Sequence, residues 1–141
     1  MANEMSWKEC TDEKIITKTV PDEERANQML QMANLRLKFW DKKIADEFSV
    51  LKVEAYYDII KELIFAHLYK NGYNCTNHLC LIAYLKEKMT DFDFEIQKID
   101  ELLIVRNDIN YRGLIIKKDY LERNELEFKN IIKLLKEELE K

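Results

Sequence analysis

The scarcity of glycine and proline constrains the fold of this chain more than any other feature of its sequence. Only two glycines and one proline occur in 141 residues, whereas hairpin turns and glycine-rich phosphate-binding loops require these residue types. Hydrophobic residues make up 47% of the chain and charged residues 35%, a combination typical of amphipathic helices. We therefore predict an all-α fold, and a chain of this length can bury the core of one domain.

Apolar side chains recur at helical spacing from about residue 21 to the end of the chain. The predicted helices span residues 21–45, residues 47–71, a shorter stretch after the loop at 73–76, residues 93–112 and residues 119–141. We expect Gly72 and Gly113 to end the second and fourth of these helices, and Asp91 or Asp93 to cap the fourth. Their short connections predict an up-and-down antiparallel bundle of four to five helices, which forms a single domain over residues 20–141.

The first 19 residues carry no sustained period, so we expect residues 1–19 to form an irregular N-terminal arm, with a short strand or an ordered arm over 14–20 as the alternatives. The three cysteines, at positions 10, 75 and 80, are odd in number and lack the spacing of a disulfide framework. The sequence contains neither a signal peptide nor an apolar run of about 18 residues. These features predict a cytoplasmic protein with no membrane partner.

Metal and cofactor sites leave recognisable patterns, and this chain has none of the common ones. Cys75, His78 and Cys80 supply only three possible ligands, without a CxxC pair or a second cluster to complete a tetrahedral zinc site. No P-loop, dinucleotide-binding fingerprint or Ser-His-Asp order is present. We therefore predict no metal and no cofactor.

One charged residue, Arg106, interrupts the apolar stripe of the fourth predicted helix. At about 100° per residue it projects between Leu103 and Ile109, with Asn110 beside it and Asn107 on its flank. A guanidinium does not lose its proton, so burying it is unfavourable unless a carboxylate, a carbonyl or the phosphate of a ligand interacts with it. Arg106 therefore predicts either a structural ion pair with a neighbouring helix or subunit, or a site for an anionic partner.

The overall charge limits what that anionic partner can be. The net charge is −4, which is the wrong sign for a protein that coats nucleic acid through bulk electrostatics. The segment 106–123 carries a small excess of basic residues, so any contact with RNA must be local and centred there.

Three segments together resemble a HEPN domain. They are EAYYDIIKELIFAHL at 54–68, YKNGYNCTNHLCLIAYL at 69–85, and LLIVRNDINYRG at 102–113, and the similarity covers residues 21–141. The resemblance implies a helical bundle that commonly forms a homodimer, with the fourth helices meeting near the two-fold axis. It also implies a role with RNA, because many members are RNases of toxin, antiviral or RNA-processing systems. Some members are encoded beside a small nucleotidyltransferase.

The family motif can be carried over to individual positions of this chain. Arg106 matches the motif arginine, and Asn107 matches the polar residue after it. The resemblance therefore implies Arg106 as a candidate catalytic residue, together with Tyr111, which stands where the family can have its histidine. The nuclease form has a histidine after four to six further residues, where this chain has Tyr111, Arg112 and Gly113. A tyrosine, with a pKa near 10, is a poor general base but can donate a hydrogen bond to a phosphate. The candidate residues for binding nucleic acid or a nucleotide are Arg106, Asn107, Asn110, Tyr111, Arg112 and His78.

The two histidines differ in their predicted roles. His67 follows Ile60 and Ile64 on the second predicted helix, which favours a packing role. His78 lies in the first turn of the third helix, where it either stabilises the helix start or reaches the cleft around Arg106.

Three functions remain open from the sequence. The first, which we favour, is a module that binds RNA or nucleotide phosphate at a homodimer cleft around Arg106, in a toxin–antitoxin or RNA-defence system. The second is a residual metal-independent endoribonuclease. The third is an interaction partner of a small nucleotidyltransferase, with Arg106 in a structural ion pair.

Overall fold

The computed structural model describes residues 4–141 and confirms the predicted all-α bundle. The helices are α1 (Trp7–Asp12), α2 (Glu23–Trp40), α3 (Ser49–Lys70), α4 (His78–Lys88), α5 (Asp93–Arg112) and α6 (Lys118–Leu139). A single 3-10 turn, Asp46–Phe48, precedes α3. Two short strands, β1 (Ile16–Lys18) and β2 (Tyr73–Cys75), are the only strands within residues 4–141.

Helix α3 is the centre of the bundle, in contact with α2, α5 and α6. Its apolar side chains are buried over nearly the whole length of the helix, as its sequence predicts. Two apolar residues at its start remain partly exposed: Phe48, in the 3-10 turn before the helix, at 46%, and Leu51 at 47%. Within α3 the side that faces α6 is instead occupied by Lys52 and Tyr56.

Helix α6 has the amphipathic pattern expected of a helix that covers one side of a bundle. All the side chains predicted to face inward are buried: Leu121, Phe128, Ile131, Ile132, Leu135 and Leu139. The ring centroids of Phe128 and Tyr56 lie 5.5 Å apart, which anchors α6 on α3.

The ends of α5 agree only in part with the prediction. Gly113 ends the helix as expected, in the left-handed conformation (φ 65°) that glycine adopts without strain. The N-cap, however, is Phe92, whose side chain caps no backbone group, and neither Asp91 nor Asp93 takes that position. Asp93 is the first helical residue, where its negative charge still favours the helix start.

The N-terminal segment differs most from the prediction, because the described part of the expected irregular arm contains α1 and β1. Strand β1 lies within residues 14–20, where a short strand is the alternative prediction. A capping box between Ser6 and Glu9 starts α1, and β1 pairs antiparallel with β2. A disulfide joins Cys10 to Cys80 on α4, across a sequence separation of 70 residues. The strand pairing and the disulfide depend on partners far away in the chain, which local periodicity does not show. The Ser6–Glu9 pattern at the start of α1, by contrast, is a local signal that the absence of a sustained period obscured.

Gly72 completes this attachment of the N-terminal segment. The Thr19 N–H donates to the Gly72 carbonyl at 2.7 Å, and a Cβ at Gly72 would lie 2.7 Å from the Thr19 oxygen. Only glycine allows the two backbones to come this close, and its φ of 78° is also one that glycine tolerates. Among the helices of residues 4–141, none is long and apolar enough to cross a membrane.

Candidate phosphate-binding groove

An open groove of about 360 Å³ lies between the start of α4 and the C-terminal half of α5. Its lining residues are Thr76, Asn77, His78, Leu79, Leu103, Arg106, Asn107 and Tyr111. The Asn77 side chain caps α4 by accepting from the Leu79 N–H at 2.8 Å, which fixes the first turn of α4 and with it His78. The buried side chains of Leu102 and Leu103 hold α5 against the core one turn before Arg106.

Arg106 is half-buried, and its guanidinium lies over the ring of Tyr57, 5.2 Å from the centroid. The Asn110 amide lies between Arg106 and Glu54. In the orientation that hydrogen-bonds to both, its oxygen accepts from Arg106 Nε at 3.1 Å and its nitrogen donates to Glu54 Oε2 at 3.2 Å. No carboxylate of residues 4–141 lies within ion-pair distance of Arg106. The cation is therefore supported by an aromatic face and an amide, and its charge is not neutralised by an ion pair within this part of the chain.

His78 lies in the same groove and is linked to Arg106 through Tyr57. The Tyr57 hydroxyl lies 3.1 Å from His78 Nδ1. Burial lowers the pKa of His78, the positive charges of Lys61 and Arg106 lower it further, and Asp58 opposes them. Burial also raises the pKa of Tyr57 to about 12, so its hydroxyl stays protonated near neutral pH. The groove thus combines a fixed cation with an imidazole that is neutral near pH 7.

The structure separates the remaining predicted site residues into two groups. Asn107 and Tyr111 line the groove, and Tyr111 is 81% exposed. Asn110 instead contacts Arg106 and Glu54 beside the groove. Arg112 does not line the groove; it is exposed, 3.7 Å from Asp108. Six residues of α-helix separate the two arginines, which rotates the Arg112 side chain by about 120° from the direction of Arg106.

His67 and the cysteines take structural positions. His67 Nδ1 lies 2.8 Å from the Tyr84 hydroxyl in the interior, which agrees with its predicted packing role. Cys80 is bonded to Cys10, and Cys75 Sγ donates to the Asn77 carbonyl at 3.1 Å. Among the residues the structure describes, no group of three or more His, Cys, Asp or Glu side chains is placed to hold a metal ion.

A second polar cleft, which sequence reasoning missed, lies between the loop after α2 and the first turns of α3 and α6. It has a volume of about 530 Å³. At its wall Lys52, only 5% exposed, donates to the Lys42 carbonyl and pairs with Glu125 Oε2, each at 2.8 Å. The Tyr56 hydroxyl donates to the same Glu125 oxygen at 2.6 Å. We call Lys52, Tyr56 and Glu125 the Lys52 cluster.

The charges of the Lys52 cluster neutralise each other. Burial opposes ionisation of Glu125, but the hydrogen bonds from Lys52 and Tyr56 outweigh it and hold the pKa of this carboxyl below its usual value. The sequence carried a signal for this cluster, because Ser49, Lys52 and Tyr56 place polar groups at helical spacing on one side of an otherwise apolar helix. Its acidic partner on α6 could not be identified without the tertiary structure.

Comparison of the chain with protein-family models, with curated proteins and with solved structures finds no match. The resemblance to HEPN domains therefore stays a prediction.

Proposed function

We propose that this chain is a HEPN-like module that binds the phosphate groups of RNA or a nucleotide in the groove around Arg106. The observation that carries the proposal is that the Arg106 guanidinium lines an open groove without a carboxylate partner in residues 4–141. A guanidinium presents several N–H donors in one plane, and two of them match the oxygens of a phosphate.

The other groove residues suit the same type of ligand. Asn107 and Asn77 offer amide donors, and Tyr111 offers an exposed hydroxyl and a ring on which a base can stack. The alternative in which Arg106 forms a structural ion pair while the bundle binds a small nucleotidyltransferase gains no support, because the required acidic partner is not found in residues 4–141.

We further propose that the module acts as a homodimer with two α5 helices near each other. The support is that three apolar side chains at the end of α5 and just after it, Tyr111, Leu114 and Ile115, are 81%, 43% and 76% exposed. Contiguous exposed apolar side chains are typical of interaction surfaces. In such a dimer the two grooves would open near a shared cleft, which suits a toxin–antitoxin or RNA-defence system.

The binding proposal is tested with a labelled single-stranded RNA oligonucleotide and fluorescence anisotropy over a range of salt concentrations. We expect Arg106→Ala to weaken binding by about tenfold or more, because a charge-assisted bidentate contact is lost. Arg112→Ala removes the same charge from the same helix outside the groove, so we expect it to change the affinity by less than about threefold. Equal affinities for wild type and Arg106→Ala would contradict the proposal.

One observation favours endoribonuclease activity as a second candidate function. His78 supplies to the groove the imidazole that the α5 motif lacks. This activity requires the His78 tautomer in which Nδ1–H donates to the Tyr57 oxygen, so that Nε2 is free to accept the proton of a ribose 2′-hydroxyl as its oxygen attacks the adjacent phosphorus. The bond to the 5′-oxygen then breaks, that oxygen takes a proton from Tyr111 or water, and a 2′,3′-cyclic phosphate and a 5′-hydroxyl remain.

This second function is tested by incubating the protein with RNA and a chelator and analysing the RNA ends. We expect cyclic phosphate ends with wild type and their loss in both His78→Ala and Arg106→Ala. RNA that remains intact with wild type, or cleavage that persists in both variants, would exclude this activity.

A further inference from the structure

We propose that Tyr57 is a positioning residue of the groove, and that it directs the imidazole of His78 to act as a second phosphate donor beside Arg106. This inference rests on the proposed function, since it concerns how the same groove holds its ligand. Its basis is that one side chain of α3 contacts both groove residues, one from α4 and one from α5.

Tyr57 is well placed to fix the relative positions of the two groups. It is only 3% exposed, so packing restricts its ring. The face of that ring supports the Arg106 guanidinium at 5.2 Å, and its hydroxyl lies 3.1 Å from His78 Nδ1. A rigid aromatic side chain therefore links two residues that line the groove, His78 of α4 and Arg106 of α5.

The hydrogen bond at Nδ1 determines which histidine nitrogen remains for a ligand. Within residues 4–141, His78 Nε2 has no hydrogen-bond partner. When the Tyr57 hydroxyl donates to Nδ1, the neutral ring carries its proton on Nε2. When the ring is charged, Nδ1–H donates to the Tyr57 oxygen and Nε2–H becomes a charge-assisted donor, the stronger type for a phosphate oxygen.

This arrangement predicts proton uptake when a phosphate binds. The groups that face His78 are Tyr57, Asp58 and Lys61 from α3, with Arg106 and Tyr111 from α5. Burial and then the charges of Lys61 and Arg106 lower the pKa of the His78 imidazole in the free protein, against the opposing charge of Asp58. A bound phosphate adds negative charge and favours the imidazolium, so the affinity rises as the pH falls, by at most about tenfold per pH unit for one proton.

The test measures the affinity for an oligouridylate without terminal phosphates between about pH 7.5 and about pH 5.5. Its phosphodiesters keep a constant charge over this range, so a change in affinity reports on the protein. We expect wild type to bind about three- to tenfold more tightly at the lower pH. His78→Gln should bind with nearly the same affinity at both, whereas His67→Gln, which removes the other histidine of the chain, should behave as wild type.

Tyr57→Phe tests the positioning role. It keeps the ring beneath Arg106 and removes only the hydroxyl, so we expect the gain in affinity at low pH to shrink while the salt dependence stays. A second measurement does not depend on this variant: ¹⁵N NMR of wild-type His78 should show the neutral ring protonated at Nε2.

The outcomes distinguish this inference from the proposed function. Affinity that is independent of pH in wild type, or unchanged pH dependence in His78→Gln, overturns the role of His78. A Tyr57→Phe protein that matches wild type, or an Nδ1-protonated ring, overturns the role of Tyr57. Either result is compatible with phosphate binding by Arg106, whereas equal binding by wild type and Arg106→Ala contradicts the proposed function itself.

Discussion

The two clefts of this bundle each contain a cation that is not fully exposed, but the structure treats the two charges in opposite ways. Lys52 is buried and its ammonium is matched by Glu125 and by the Lys42 carbonyl. Arg106 is half-buried, lies on the Tyr57 ring and has no carboxylate partner within residues 4–141. The environment of a charge, rather than its place in an apolar stripe, thus separates a structural cation from one that can bind a ligand.

The largest difference between the two clefts should appear in stability. We expect Lys52→Met to lower the free energy of unfolding by about 2–4 kcal/mol, because it leaves Glu125 partly buried without its cation. Arg106→Met should lower it by less than about 1 kcal/mol, since no ion pair is broken. Urea denaturation followed by circular dichroism measures both variants, and equal losses would remove the distinction between the two cations.

The disulfide allows a test of whether the Arg106 groove needs the N-terminal segment. We expect a Cys10→Ala, Cys80→Ala double variant to lose about 2–3 kcal/mol of stability, because the closed loop restricts the unfolded chain. Its RNA affinity should stay within about threefold of wild type, since Asn77 caps α4 independently of the disulfide. Denaturation and anisotropy measure the two effects, and a large loss of binding by the folded variant would show that the groove depends on this bond.

The two histidines and the Lys52 cluster should affect the free energy of unfolding in different pH ranges. Burial lowers the pKa of both His67 and His78 below the ordinary 6.5, so the unfolded chain takes up protons first. The stabilising contribution of the two neutral histidines is therefore fully present above about pH 6.5. It declines as the pH falls towards their lower pKa values in the folded protein. This is also the range in which RNA binding should strengthen. Urea denaturation between about pH 7 and about pH 5 should show this decline, and a flat profile would contradict it.

The Lys52 cluster should respond only at lower pH. The pKa of Glu125 lies below its ordinary value of 4.5, so its stabilising contribution is complete above that pH and is lost as the pH falls through the folded pKa. The stability difference between wild type and Lys52→Met should thus be constant between about pH 5 and 7 and shrink in stronger acid. A difference that already shrinks near pH 6 would place the titrating group elsewhere.

The smallest effect concerns the amide beside Arg106. We expect Asn110→Ala to weaken RNA binding by about two- to fivefold, because the guanidinium loses the hydrogen bond that orients it. Asn107→Ala provides a comparison at a residue that lines the groove without contacting Arg106 Nε. An Asn110→Ala protein with unchanged affinity would show that the Tyr57 ring alone positions Arg106.

Most of the fold, but only part of the candidate site, followed from the sequence. Helix α5 ends at the predicted residue, because Gly113 supplies the left-handed conformation that terminates it, whereas its N-cap is Phe92 and not the predicted Asp91 or Asp93. The pairing of β1 with β2 and the Cys10–Cys80 bond could not be predicted, since three-residue strands have no period and their partners lie far away in sequence.

The candidate site shows the same limit. The position of Arg106 within the apolar stripe of α5 identified it as a candidate. Neither the contact of its guanidinium with the Tyr57 ring nor the presence of His78 in the same groove can be derived from spacing within one helix. The polar residues at the start of α3 are visible in the sequence, yet their meaning depends on Glu125, a residue of α6. Contacts within an element are readable from its sequence, whereas contacts between elements require the structure.

The central claim is that the Arg106 guanidinium is available to a phosphate, and ¹⁵N NMR of the arginine Nε–H groups tests it most directly. The chain has five arginines, at positions 25, 36, 106, 112 and 123, so each signal can be assigned by substitution. During titration with single-stranded RNA we expect the Arg106 signal to shift most and to saturate, while Arg36, paired with Glu62 at 2.7 Å, stays unchanged. An Arg106 signal that does not move while Arg112 or Arg123 responds would contradict the account.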